Sequence, residues 1–100
     1  MIIYNVTISL DSSIHKEWLD WMINKHIPDV MDTGYFLENK ICKLLVDDEV
    51  TYAIQYTCKD TNTLEMYQKK CARNLQEEHN EKFRNKFGAF RTILEIINQH

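Results

Sequence analysis

Two nine-residue stretches constrain this chain more than anything else in it. In residues 2–10, Ile2, Tyr4, Val6, Ile8 and Leu10 alternate with Ile3, Asn5, Thr7 and Ser9; in residues 50–58, Val50, Tyr52, Ile54, Tyr56 and Cys58 alternate with Thr51, Ala53, Gln55 and Thr57. A period of two over that length marks a strand whose faces meet different surroundings. Residues 35–46 and 89–97 are also rich in β-favouring types. The first of these joins the 50–58 strand across an acidic Asp47-Asp48-Glu49 turn, and a turn centred near Asp48 sets Cys42 opposite Ile54 and Cys58 opposite Glu38. In the last strand Phe90, Leu94 and Ile96 fall on one face, and Ile93 and Ile97 are expected beside Asn5, Thr7, Gln55 and Thr57 on the other.

Helical spacing fills the gaps between strands. Asp11, Ser12 or Ser13 offers a cap for a first helix, in which Ile14, Trp18, Trp21 and Met22 form an apolar stripe with His15, Leu19 and His26 on its shoulder. Pro28, which lacks an amide donor, is expected to stop or kink this helix, and Gly34 to close a short turn. Asp60-Thr61-Asn62-Thr63 offers several caps for a second helix, Asn62 with Glu65 being the best spaced, and Leu64, Tyr67, Cys71 and Leu75 form its apolar face. A break is expected near Asn74, after which Leu75, His79, Phe83 and Phe87 recur every four residues and carry the helix to Lys86, with Gly88 ending it.

The order is β-α-β-β-α-β over a single domain spanning residues 1–100, the α+β ferredoxin-like plan with a four-stranded antiparallel sheet and both helices on one face. The other face mixes polar and apolar side chains. That suits a second copy better than water, so a homodimer joined through the sheet, a dimeric α/β barrel, is expected.

Charge and composition narrow the function. A formal net charge of -3 with basic residues scattered among acidic ones argues against nucleic acid as a partner. No apolar run reaches the ~18 residues of a membrane span, and the first ten residues lack the features of a secretory signal, so a cytoplasmic protein without a membrane partner is expected. Cys42, Cys58 and Cys71 show no C-x-x-C spacing and read as reduced thiols. No metal is expected: His15 and His26 lie about 16 Å apart along a helix, and His79 has no carboxylate three or four residues away. With only Gly34 and Gly88, the chain has no phosphate-cradling loop, and no cofactor is expected.

The candidate chemistry rests on two histidines. His26 stands where a helix C-terminus would stabilise its charged form, as a general acid or base would require. His79 interrupts the Leu75, Phe83, Phe87 stripe, so its ring is expected to turn toward the sheet. Tyr4, Trp18, Trp21, Met22, Tyr52, Tyr67 and Phe83 are expected to line an apolar cavity between sheet and helices, fit for a small apolar or aromatic ligand. Two functions follow: a binding or assembly module without catalysis, and a cofactor-independent monooxygenase or isomerase using His26 or His79 with a tyrosine hydroxyl. The first is favoured because no second acid-base group stands at a telling spacing. A cavity of ~300 Å³ or more would mark a ligand site.

The motif H-x-x-W-x-x-W-M-x-x-x-H-I-P-x-V-M-x-T-G from His15 to Gly34, with MIIYNV, TYAIQY and KFGAFRTILE, resembles a small bacterial family of about one hundred residues known only as a domain of unknown function. More remotely, the plan is similar to the dimeric α/β-barrel superfamily, which includes antibiotic-biosynthesis monooxygenases, EthD-like proteins, NIPSNAP-like proteins and haem-degrading monooxygenases. The aromatic pair before His26-Ile27-Pro28 is similar to the aromatic-then-H-x-P element of EthD-like proteins, which implies a place at a pocket edge for His26. Likeness to the haem-degrading enzymes draws attention to Asn5, His79 and Tyr67. Strand parity sets Asn5 on the face away from Tyr4 and Val6.

Overall fold

The computed structural model describes residues 1–100. Strands β1 (Ile2–Leu10), β2 (Glu38–Lys43), β3 (Val50–Cys58) and β4 (Phe87–Glu95) form one sheet in the order β2-β3-β1-β4, every neighbouring pair antiparallel. Two helical runs, residues 12–31 and 61–82, pack on one face of it. Tyr4, Val6 and Ile8 of β1 and Tyr52, Ile54 and Tyr56 of β3 are buried there with Trp18, Met22, Leu64 and Tyr67, as the alternation of the two central strands requires.

The first run opens with a 3₁₀ turn, Ser12–Ile14, capped by Asp11, whose carboxylate accepts from the Ser13 amide at 2.9 Å. An α segment, His15–Trp21, passes into a π turn, Met22–His26, and the helix resumes over Ile27–Met31. Pro28 therefore neither stops nor ends it. In the π turn the Ile27 amide reaches back five residues to the Met22 carbonyl, and the widened turn makes room for the ring and the missing donor of Pro28. Gly34, at φ +83°, closes the turn that follows, its amide bonded to the Met31 carbonyl.

The second run departs further from a regular wheel. Its cap is Asp60 rather than Asn62: one Asp60 carboxylate oxygen accepts from both the amide and the hydroxyl of Thr63, at 2.8 and 2.7 Å. No break occurs at Asn74. Instead a π turn at Gln68–Ala72 lies between α segments Thr61–Tyr67 and Arg73–Lys82, and it shifts the buried face by one residue. Ala72, five residues after Tyr67, is buried where Cys71 was expected, and Cys71 is only half-buried. The helix ends at Lys82, not Lys86, and the left-handed residue that turns the chain is Asn85, at φ +63°. Gly88 lies inside β4.

Two registers differ from expectation. Cys42 pairs with Ala53 and Glu38 with Thr57, one residue from the expected partners, because the chain between β2 and β3 is not symmetric about Asp48: Leu44 still bonds Thr51 across it at 2.9 Å. In β4, Ile93 lies opposite Tyr4, Arg91 opposite Val6 and Ala89 opposite Ile8, so these odd-numbered residues share the helix-covered face. Phe90, Thr92 and Leu94 stand beside Thr7, Asn5 and Ile3 on the open face, the reverse of the expected parity for Ile93. The helices do not extend over β4, and every residue from Gly88 to Glu95 is exposed.

Candidate functional site

The helix-covered layer divides into two aromatic groups. Tyr4, Phe36, Tyr56 and Tyr67 form one, with Phe36 and Tyr67 rings 4.7 Å apart at a steep angle. The other gathers Trp18, Trp21, His26, Phe83 and Phe87 around the imidazole of His79. His79 is 5 % exposed, and its Nε2 accepts a hydrogen bond from the Trp18 indole N–H at 2.9 Å. With that lone pair engaged, a neutral ring carries its proton on Nδ1. Burial holds the pKa of His79 down to about 4, from the ordinary 6.5, so the ring is neutral at pH 7.

His26 meets this group from the π turn. Trp21 and His26 are five residues apart, which on an α-helix would point them well away from each other, yet their rings stack at 5.2 Å and 28° because the π turn brings i and i+5 to one side. The expected helix end at His26 does not exist, so there is no C-terminal dipole to favour the charged ring. Desolvation prevails and lowers its pKa to about 4. Its Nδ1 is buried with no hydrogen-bond partner.

A cleft opens between this cluster and the sheet. Tyr4, Tyr56, Tyr67, His26, His79 and Arg91 supply polar atoms to walls that are otherwise mainly apolar, and the cleft's exposed side runs along Ala89 and Arg91 of β4, which the helices leave uncovered. Gln76 and Asn80 of the second run face them across it. The cavity volume is about 40 Å³. This is far below the ~300 Å³ of a pocket for a drug-sized ligand and enough for roughly two or three waters.

Tyr4, Met22, His26, Tyr67 and His79 all border this cleft. Trp18, Trp21, Tyr52 and Phe83 do not; they form the wall behind it, with Trp18 fully enclosed and Trp21 set edge-on to Phe83. Tyr52 turns the other way, its hydroxyl bonded to His15 Nε2 at 2.6 Å. Asn5 lies outside the cleft, on the open face, where its amide donates to the hydroxyls of Thr7 and Thr92. Arg91, Gln76, Asn80 and Tyr56 were not singled out from sequence. The signal for Arg91 is a lone cation in the mainly apolar run FGAFRTIL, legible once β4 parity is known.

The tyrosines respond to their surroundings in a common direction. Burial raises the pKa of Tyr4, Tyr56 and Tyr67, and for Tyr4 the neighbouring Arg91 guanidinium and Gln76 act against it. All three are hydroxyl donors at neutral pH. No three His, Cys, Asp or Glu side chains gather as metal ligands would.

The family model for a domain of unknown function, DUF4286, matches residues 1–97. The chain belongs to that family. No curated protein matches it in sequence. Among solved structures it is similar to the haem-degrader MhuD of Mycobacterium tuberculosis with two haems in its active site, at 11% identity over 100% of this chain and 99% of that one, with a TM-score of 0.75. A dimeric ferredoxin-like protein from an uncultured marine organism is 10% identical over 100% and 98% of the two chains, TM-score 0.70. An EthD family protein from Bacillus halodurans is 11% identical over 97% and 100%, TM-score 0.67. At such identities the likeness is one of fold: this DUF4286 chain has a ferredoxin-like α+β fold.

Proposed function

We propose that this DUF4286 protein is a homodimeric small-molecule binding module that holds a compact, mainly apolar or aromatic ligand in the cleft between its sheet and helices. The observation that carries the reading is the convergence of three protonated tyrosines, two neutral imidazoles and the Gln76, Asn80 and Arg91 side chains on a mainly apolar cleft whose mouth lies over the uncovered strand β4. A space of about 40 Å³ holds no tetrapyrrole, so the ligand is small. His79 supports binding over catalysis: its Nε2 lone pair is taken by Trp18, which leaves an Nδ1 donor and no free base.

The open sheet face supports the dimer. Phe90 and Leu94 are exposed there around a polar centre, and Asn5 Oδ1 is buried without a donor, a group that a facing sheet would satisfy. One of the similar structures is a dimeric ferredoxin-like protein. Three free thiols, Cys42 among them on the surface, suit the cytoplasm.

A cofactor-independent monooxygenase or isomerase is the second reading, favoured by the unpartnered Nδ1 of His26 on the cleft wall. A base with a pKa near 4 is poorly matched to proton abstraction at pH 7, which ranks this reading below the first. Native mass spectrometry of protein purified without denaturation tests the binding reading. A small molecule released on unfolding supports it; no bound species, together with no response of cleft amides to an aromatic fragment library by NMR, would refute it.

A further inference from the structure

We propose that the ligand of this cleft is an acid: a compact aromatic or apolar carboxylate whose ring lies under the second helical run and whose anionic end meets Arg91. The proposal rests on the binding reading above and specifies its chemical class.

Arg91 is the only residue bordering the cleft that carries a formal charge at neutral pH, since His26 and His79 are neutral there. No Asp or Glu borders the cleft, and Arg91 forms no salt bridge within the chain. The nearest charged pair beside His26, Lys25 and Asp29, is bridged to itself across one helical turn and nets to zero. An unmatched guanidinium at the rim of an apolar cleft is a fork of donors awaiting a planar anion.

Its setting is specific as well as positive. Arg91 projects from β4 on the helix-covered face, opposite Val6, so it stands over the cleft and not over the open sheet. Gln76 of the second run lies across the mouth, and both side chains are close enough to Tyr4 to oppose the effect of burial on its hydroxyl. A carboxylate at this point accepts from the guanidinium while the tyrosine hydroxyls and Gln76 remain as further donors. The ring then lies against Leu75 and Phe87. A cationic ligand would meet Arg91 with no carboxylate to offset it.

The test uses benzoate and 1-naphthoate against benzamide and 1-naphthamide, titrated into the intact protein and followed by backbone amide shifts in 15N NMR. Wild type should bind at least one acid about ten-fold or more tightly than its amide, as one charge-assisted contact implies. Arg91→Gln should erase that preference by weakening acid binding about ten-fold or more, and Arg91→Lys should retain part of it. Arg91 is exposed on an edge strand, so both variants should fold, and their unfolding midpoints confirm this. Equal binding of acid and amide by wild type, or an undiminished preference in Arg91→Gln, would overturn the acid proposal and leave a neutral-ligand site standing. If neither acids nor amides shift residues of the cleft, the acid proposal falls together with the binding reading.

Discussion

The two faces of the sheet leave different polar atoms unmet. Under the helices, His79 is enclosed by rings and satisfied by one internal donor, Trp18, and the orphaned atom is His26 Nδ1 on the cleft wall. On the open face, Asn5 donates to Thr7 and Thr92, yet its carbonyl oxygen is left without a partner, with Phe90 and Leu94 exposed nearby. A buried acceptor with nothing to accept costs roughly 1–3 kcal/mol, and on the open face it stands among exposed apolar side chains, so that face gains from meeting another surface. The difference separates what holds the monomer together from what is left over for association.

The largest effect expected of a single change is at Trp18. Trp18→Ala should remove an indole with no exposure and strand His79 Nε2, lowering stability by about 3–5 kcal/mol in urea unfolding; Trp18→Phe, which keeps a ring, should lose less. A cost below about 1 kcal/mol for Trp18→Ala would show that the covered face is not organised around this bond.

Acid should weaken the covered face next most. Both histidines have folded-state pKa values near 4, below the 6.5 of the unfolded chain, so the unfolded state takes up protons first. Their contribution is complete above about pH 6.5, falls as pH drops from there toward 4, and changes no further below it. For buried His79 the full loss is on the order of 3 kcal/mol. His79→Gln should flatten this part of the stability profile, and an unchanged slope between pH 6.5 and 4 would contradict the assigned burial.

Disruption of the open face should spare the fold and affect assembly. Phe90→Asp, at a residue 61% exposed in the single chain, should weaken the dimer by about ten-fold or more in sedimentation at micromolar concentration, while the monomer's own stability changes little. A wild-type monomer at that concentration would remove the association altogether. Smallest of all, Arg73→Ala breaks an exposed pair with Glu77, and its cost should stay under about 0.5 kcal/mol.

The strands were legible because alternation over nine residues leaves no other economical reading: β1 and β3 run as the pattern of Ile2–Leu10 and Val50–Cys58 implies. The helices were legible in place but not in phase. A wheel of 3.6 residues per turn finds Trp18 and Met22, yet it pairs Cys71 with Tyr67 and leaves Trp21 and His26 on different sides, since neither π turn has a sequence period of its own. β4 was misread in parity because apolar residues stand on both of its faces, so Ile93 and Leu94 gave no sign of which was covered. The cleft inherits that pattern. His26 and His79 were visible as histidines on apolar stripes, while Arg91 depended on the one strand whose sides could not be told apart.

The extra residue in the first helical run has an evolutionary corollary. A chain that lost one position between Met22 and His26 would turn the π turn into an ordinary α-helical turn, and the imidazole would then stand four residues after Trp21, still on its side. The rings could stay stacked, and Ile27 and Val30 could keep the face they now bury. What the deletion removes is the five-residue reach of the Ile27 amide that makes room for Pro28, so descendants of this chain can lose that position most readily when they lose the proline with it.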